Sequence, residues 1–316
     1  MRKTMMFVAF MLVFAVSMPL IAGEKAMIDI SADIYKSRGE TTYKISGSDF
    51  MFVGDTGSSV LEFPINTLFS RVGIHANLMQ KIDFSLDYSW SIDDDPGKFK
   101  DSDFSSLLAT KPAIYGVYNA KIDAKEWNFD FKYLLTEQEI TNSIIDRLKV
   151  YLGAGFKSQK FDFTETGGKT EYYYLATSVT DTDSASGIDY AVEYKILYLS
   201  LYVDLLNTQE KIDLLLGIEY GPSIDAEDRD DHLLRSKLSV STGDGTYGKF
   251  AAQLNWNIWN NVFASIYYNY IDISVAGHQD QSFYGGAYQG LEYRDIDWTS
   301  DSEQSIYGAK VTWYFN

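Results

Sequence analysis

From residue 82 to the last residues, the chain repeatedly alternates one apolar with one polar residue. Ile82, Phe84, Leu86, Tyr88 and Trp90 alternate with Asp83, Ser85, Asp87 and Ser89. Trp127, Phe129, Phe131, Tyr133 and Leu135 form a second such set, and Ile212, Leu214, Leu216, Ile218 and Tyr220 a third. Ala252, Leu254, Trp256 and Ile258 form a fourth, and Tyr307, Ala309, Val311, Trp313 and Phe315 a fifth. Period two is strand geometry, with one apolar and one polar face per strand. A soluble sandwich alternates in the same way, so a second feature has to decide. The chain carries 24 Tyr, 19 Phe and 6 Trp, and its alternating apolar faces are rich in them, as at the interfaces of a membrane barrel. Connections also alternate in length. Short turns are predicted near Met79–Lys81, Asn207–Lys211 and Trp259–Asn261, with a longer one near Glu137–Arg147. Long polar loops are predicted near Gly47–Ser58, Asp94–Lys121, Thr164–Asp189, Asp225–Arg235 and Gly277–Gln304. Short turns on one side and long loops on the other characterise outer-membrane barrels. The expected fold is therefore all-β: a ten-stranded antiparallel transmembrane β-barrel of the outer membrane. Its strands are expected at about 26–46, 58–77, 82–94, 122–136, 147–164, 190–206, 211–225, 236–258, 262–276 and 304–316. Even parity puts both termini on the periplasmic side and the long loops outside.

The first residues fit that destination. Arg2 and Lys3 precede the apolar run Met5–Leu20, broken by Pro19, and the small residues Ala22 and Gly23 follow. This is the layout of a secretory signal peptide over 1–23, with the barrel occupying 24–316. No later stretch approaches the ~20 apolar residues of a transmembrane helix. The formal net charge of −17 argues against nucleic acid as a partner, because phosphate is repelled. It favours cationic partners or substrates. There is no cysteine, hence no disulfide framework and no thiolate chemistry.

One stretch has the residues for general base chemistry: Asp228-Arg229-Asp230-Asp231-His232. An imidazole beside a carboxylate can activate water, although an acidic surface loop also acquires a histidine by chance. The expected topology places this pentad in the fourth outer loop and Asp101-Ser102-Asp103-Phe104 in the second. Across the mouth of a ten-stranded barrel, two carboxylates then face an Asp–His pair. Such a set can position and activate a water for attack on a peptide carbonyl, with one proton shared between the close carboxylates. Asp101 and Asp103 also fit a solvated acidic loop, as the nearby run Asp93–Asp95 does. A single histidine with hard oxygen ligands is a poor zinc set, so no metal is expected.

These two motifs, in these two loops, resemble the omptin family of bacterial outer-membrane aspartyl/histidyl proteases. The likeness runs without a gap from Leu78-Met79 to Gly97-Lys98-Phe99-Lys100-Asp101-Ser102-Asp103-Phe104. It resumes at Asp228–His232 and in the run Arg235-Ser236-Lys237, and extends to Leu152–Phe163 and the C-terminal strands. The resemblance implies that His232 takes the proton of the attacking water and that Asp230 orients it. Asp101 and Asp103 then hold the water or stabilise the oxyanion, with neither a serine nucleophile nor a cofactor. His75 and His278 lie in no matching motif.

The family cleaves beside basic residues through acidic side chains in its groove. Asp228 matches one such position, and Glu40, across a one-residue gap, another. The family also binds lipopolysaccharide on the barrel's outer face and is activated by it. Of that site Phe156 and one cation, Lys160, are present. Ser158 replaces the acidic residue, and Lys160 replaces an arginine, a better bidentate phosphate clamp than lysine. The expectation is an outer-membrane endopeptidase whose active site faces outside. Two other readings stand beside it: a non-catalytic adhesin or structural barrel, and a small pore.

Overall fold

The computed structural model describes residues 26–48, 56–106, 111–141, 143–175, 177–181 and 187–315. The signal-peptide segment lies outside the described residues, as do parts of the expected loops Gly47–Ser58, Asp94–Lys121 and Thr164–Asp189.

Thirteen strands carry the described chain: β1 (Ala26–Ser48), β2 (Thr56–Pro64), β3 (Leu68–Leu78), β4 (Ile82–Ser91), β5 (Gly97–Ser105), β6 (Ile114–Glu139), β7 (Arg147–Tyr172), β8 (Thr177–Asp181), β9 (Ile188–Asn207), β10 (Ile212–His232), β11 (Lys237–Trp259), β12 (Val262–Phe283) and β13 (Glu292–Phe315). All pairings are antiparallel. At the short-turn end the ring runs β1-β3-β4-β6-β7-β9-β10-β11-β12-β13 and closes on β1. That is the expected ten-stranded barrel, and closure leaves the ring without an open edge.

Higher up, β2 and β5 take the places of β3 and β4 between β1 and β6. They continue the same two strand lines after breaks at residues 65–67 and 92–96. The breaks interlock: Thr67 Oγ1 donates to the Asp93 carbonyl at 2.6 Å, Ile92 N to Leu68 O at 2.9 Å and Ile65 N to Gly39 O at 2.8 Å. Gly39 sits where β1 changes partner from β3 to β2. Its φ is +147°, and a Cβ there would stand 1.9 Å from the Glu303 carbonyl oxygen. Only glycine tolerates that combination without strain. At the opposite end Met79 and Gln80 have φ of 56° and 58°, and Lys81 N donates to Leu78 O at 3.1 Å. That is a two-residue turn of the primed kind, matched to the twist of the flanking strands.

The strands run further than the alternation predicts. β10 continues through the expected loop Asp225–Arg235 to His232, paired with β9 and β11 to its last residue. β5 and the start of β6 fill most of the expected loop Asp94–Lys121, and β7, β12 and β13 likewise extend into expected loops. The physical reason is a change of face. In the lower barrel the apolar side chains point outward, as with Leu152 and Phe156 on β7 or Leu197, Leu199 and Leu201 on β9, all exposed. In the upper barrel they point inward: Phe161 and Phe163 on β7, Tyr190, Val192 and Tyr194 on β9, all buried. Below, lipid is the apolar solvent and the lumen is polar. Above, water lies outside and the strands enclose an apolar core.

The lumen therefore has two storeys. The lower one is a cavity of about 360 Å³ lined by charged residues such as Asp33, Arg71, His75, Asp87, Glu219 and Lys249. Many are paired, across strands for Lys249 Nζ 2.7 Å from Glu219 and His75 Nδ1 3.3 Å from Asp29, and along β6 for Lys132 Nζ 3.0 Å from Asp130. The upper storey is an aromatic plug. Phe63 on β2 stacks on Tyr190 at 4.2 Å between ring centroids, and meets Phe163 at 5.0 Å and Phe99 at 5.1 Å. The candidate site stands on this plug.

Candidate active site

Strand geometry accounts for the pentad. Because β10 stays extended to His232, alternation sends Asp228, Asp230 and His232 to one face and Arg229 and Asp231 to the other. The first three are buried in the mouth. The outward pair join each other, Arg229 Nη2 to Asp231 Oδ2 at 3.4 Å, and Tyr284 donates its hydroxyl to Asp231 Oδ1 at 2.9 Å. On β5 the same rule applies. Asp101 and Asp103 share the inward face with Phe99, a member of the plug.

His232 Nε2 lies 2.9 Å from Asp230 Oδ2. A carboxylate only accepts, so Nε2 carries the proton of the neutral ring and Nδ1 keeps its lone pair. Burial pulls the His232 pKa down; Asp230 opposes this, Lys237 adds to it, and the net direction is below the usual histidine value. Burial alone would raise Asp230, but the neighbouring His232 outweighs it and holds the carboxyl below the usual range. The dyad at neutral pH is thus a neutral imidazole hydrogen-bonded to a carboxylate, which is the state a general base requires.

Asp101 behaves in the opposite way. Burial, then the charge of Asp103, pushes its carboxyl well above the usual range, with Asp230 adding to the effect. Two carboxylates that share one proton behave so. Asp101 on β5 and Asp230 on β10 therefore belong to one electrostatic cluster. The buried Tyr43 hydroxyl on β1 lies in the combined field of Asp230, Asp228 and Asp101, so the three carboxylates cluster in one part of the mouth.

Asp228 lies on the same face below Asp230. Tyr190 donates to its Oδ2 at 3.3 Å, and Ser241 and Trp298 also face it. Burial raises its carboxyl to about 8. Gln279 donates to both Tyr43 Oη and Ser241 Oγ, the latter at 2.9 Å. One carboxylate oxygen each of Asp101, Asp228 and Asp230 is buried without a hydrogen-bond partner.

Glu40 does not join them. It is exposed on the outward face of β1, opposite Glu303 of β13. Its inward neighbour Thr41 instead bonds the Tyr194 hydroxyl at 2.8 Å. Phe156 and Lys160 both lie on the outer face of β7. Lys160 Nζ is 2.8 Å from Asp162 Oδ1, and Ser158 donates to Glu193 Oε1 at 3.0 Å. A glutamate from the next strand thus stands beside the position where the sequence has serine. His75 lies in the lower cavity and His278 pairs with the exposed Asp295 at 3.2 Å, both on other parts of the barrel. Among the described residues, no group of three or more histidine and carboxylate side chains is arranged to hold a metal ion.

The family profile described as Omptin family matches residues 58–289. The chain belongs to the Omptin family. Among solved structures, the outer membrane protease OmpT from Escherichia coli aligns with a TM-score of 0.77 at 15% identity, over 92% of this chain and 97% of that one. The translocator domain of the autotransporter NalP from Neisseria meningitidis aligns with a TM-score of 0.35 at 10% identity, over 99% and 98%. The outer membrane protein OprG from Pseudomonas aeruginosa gives 0.35 at 12% identity, over 93% and 99%. No curated protein matches. As an omptin this chain is an outer-membrane β-barrel and, at the level of the family, a protease.

The omptin mouth contains residues that the motifs leave out. Lys237 faces His232 across the β10–β11 hairpin, and Tyr190, Ser241 and Trp298 surround Asp228. For Lys237, Tyr190 and Ser241 the signal in the sequence was parity: each is the direct cross-strand partner of a motif residue, or alternates in step with one, on a strand paired to β10, which becomes visible only once register is known.

Proposed function

We propose that this omptin is an endopeptidase that cuts beside basic residues, with its active site on the outer side of the membrane. The observation that carries the reading is the buried dyad: the His232 imidazole 2.9 Å from the Asp230 carboxylate, in one electrostatic cluster with Asp101 of β5. From Tyr220, in the lipid-facing band, to His232 there are twelve residues of β10. At ~3.3 Å per residue and a tilt of ~40°, His232 stands about 30 Å above Tyr220 along the barrel axis, in reach of protein substrates.

In this reading His232 Nδ1 takes a proton from a water as the water oxygen attacks the scissile carbonyl carbon. Asp230 stabilises the imidazolium that forms. The carbonyl oxygen becomes an oxyanion, and the proton held by Asp101 and Asp103 donates to it, an electrostatic contribution confined to the transition state. The imidazolium then returns its proton to the departing amine. Asp228, buried in the mouth, receives the cationic side chain, and its orphan oxygen supplies the acceptor. The net charge of −17 draws cationic peptides to the mouth.

Lipopolysaccharide is the proposed activator, bound against Phe156 and Lys160. In support, both face outward, and Phe156 continues the apolar band while Lys160 stands above it. The test uses refolded protein, with and without lipopolysaccharide, and peptides containing Arg-Arg or Arg-Lys bonds. Cleavage abolished by His232→Ala is the expected result. No cleavage in either condition, or undiminished cleavage by the variant, sinks the proposal.

A further inference from the structure

We propose that Lys237 is a positioning residue of this site: its ammonium, held inside the mouth opposite His232, is the counter-charge that sets the charge state of the catalytic cluster. The assignment rests on the reading of His232 as general base.

The backbone fixes its place. A short 3-10 turn, Leu233–Arg235, closes the β10–β11 hairpin, and Ser236 leaves it in the left-handed region with φ of 49°. Leu233 N donates to Gly187 O at 3.1 Å and Tyr284 N to Ser236 O at 2.9 Å, which clamps the turn from both sides. Lys237 then becomes the direct cross-strand partner of His232. Directly paired residues hold their Cβ atoms ~5 Å apart. Lys237 also shares its face with Ser239 and Ser241, both fully buried beside Asp230 and Asp228. The side chain therefore points into the mouth.

Lys237 lies in the combined field of three carboxylates, Asp230 from β10 and Asp101 and Asp103 from β5. The remaining charged groups around it are His232 on β10 and Arg235 on the turn, with Glu165 of β7 buried against Gly187. Burial, opposed chiefly by Asp230, lowers the amine's own pKa. As a cation it attracts the Asp101–Asp103 pair and disfavours a second charge on His232. Both effects oppose the uptake of further protons: the base stays unprotonated, and the pair opposite is kept from taking up a second proton.

Removing that cation has a definite sign. Without it, protonated His232 is less disfavoured, so the imidazole holds its proton to higher pH. The acid limb of kcat/KM then moves to higher pH. On that limb, activity falls by roughly 3- to 10-fold for half to one unit of displacement. The experiment compares wild type, Lys237→Met, Lys237→Gln and Lys237→Arg as refolded, histidine-labelled protein in micelles. The three imidazoles are followed by NMR, with His232→Ala providing the assignment. A raised His232 midpoint in the Met or Gln variant, and a near-native midpoint in Arg, support the assignment, as does the same ordering of the acid limbs. An unchanged or lowered midpoint in whichever neutral variant retains the native circular dichroism spectrum overturns it. The midpoint needs no turnover. If it rises in a protein that cleaves no basic peptide, the proteolytic reading fails and the electrostatic role of Lys237 stands.

Discussion

Asp228→Asn is the substitution whose consequences the geometry specifies most fully. The Asp228 carboxyl is buried against Tyr190, with its value raised to about 8. At pH 7 only about a tenth of free molecules carry it ionised, and an affinity that requires the ionised form is reduced by that fraction. For a substrate with arginine at the cleavage site, KM should therefore fall about tenfold between pH 7 and pH 9. Asparagine keeps the shape and removes the charge. Truncating one partner of a buried charge pair costs about 2–5 kcal/mol, or roughly 30-fold to several thousand-fold in kcat/KM. A peptide with norleucine in place of the basic residue should lose little. Stability moves the other way. A carboxyl raised on folding favours the folded state less and less as pH climbs from the unfolded value near 4 to the folded value near 8. The variant escapes that loss, so it should match wild type near pH 4 and exceed it by a few kcal/mol at pH 8. The assay is steady-state kinetics on the paired peptides from pH 6 to 9, with urea unfolding at pH 4 and pH 8. An unchanged arginine-to-norleucine ratio in Asp228→Asn, or a flat KM across this range in wild type, would refute the reasoning.

Three further outcomes follow from the upper barrel. Asp101→Asn removes the shared proton that meets the oxyanion, so kcat should drop by about 10²–10³ with KM within a few-fold; a loss confined to KM would contradict the role. Glu40→Gln should leave KM for basic peptides unchanged, because Glu40 faces outward beside Glu303; a rise comparable to that of Asp228→Asn would return it to the pocket. Phe63→Ala opens a void between Tyr190, Phe99 and Phe163 and should cost about 3–5 kcal/mol in urea unfolding. A cost under 1 kcal/mol would show that the plug is not close-packed.

The lower barrel was legible in the sequence because lipid imposes a rule that water does not. Leu197, Leu199 and Leu201 must face hydrocarbon, and each alternates with an inward residue, so strand and face are read together. The same rule concealed the upper barrel. At Phe161, Phe163, Tyr190 and Tyr194 the apolar residues have changed to the inner face, and the outward positions carry Asp162, Glu193 and Lys195. Further up, the lipid-facing pattern that marks a strand is gone, and polar stretches such as Asp225–Arg235 and Asp94–Lys121 read as loops. That is why Asp228–His232 and Asp101–Asp103 were expected on loops and are found on strands. The distinction bears on chemistry. A loop would have to be ordered before it could hold an imidazole 2.9 Å from a carboxylate. A strand end paired on both sides is ordered already, and its parity alone delivers Asp228, Asp230 and His232 to one face. Parity also separates what the sequence could not. Glu40 and Thr41 are adjacent, and nothing in their types says which one enters the lumen. Lys237 was visible only as part of a similar run, Arg235-Ser236-Lys237, and its place opposite His232 depends on a turn of four residues, 233–236. Lengthening that turn by one residue would move every inward side chain of upper β11 to the outer face unless a bulge absorbed it. The charge balance of the site therefore depends on the length of a turn that contributes no residue of the proposed catalytic quartet.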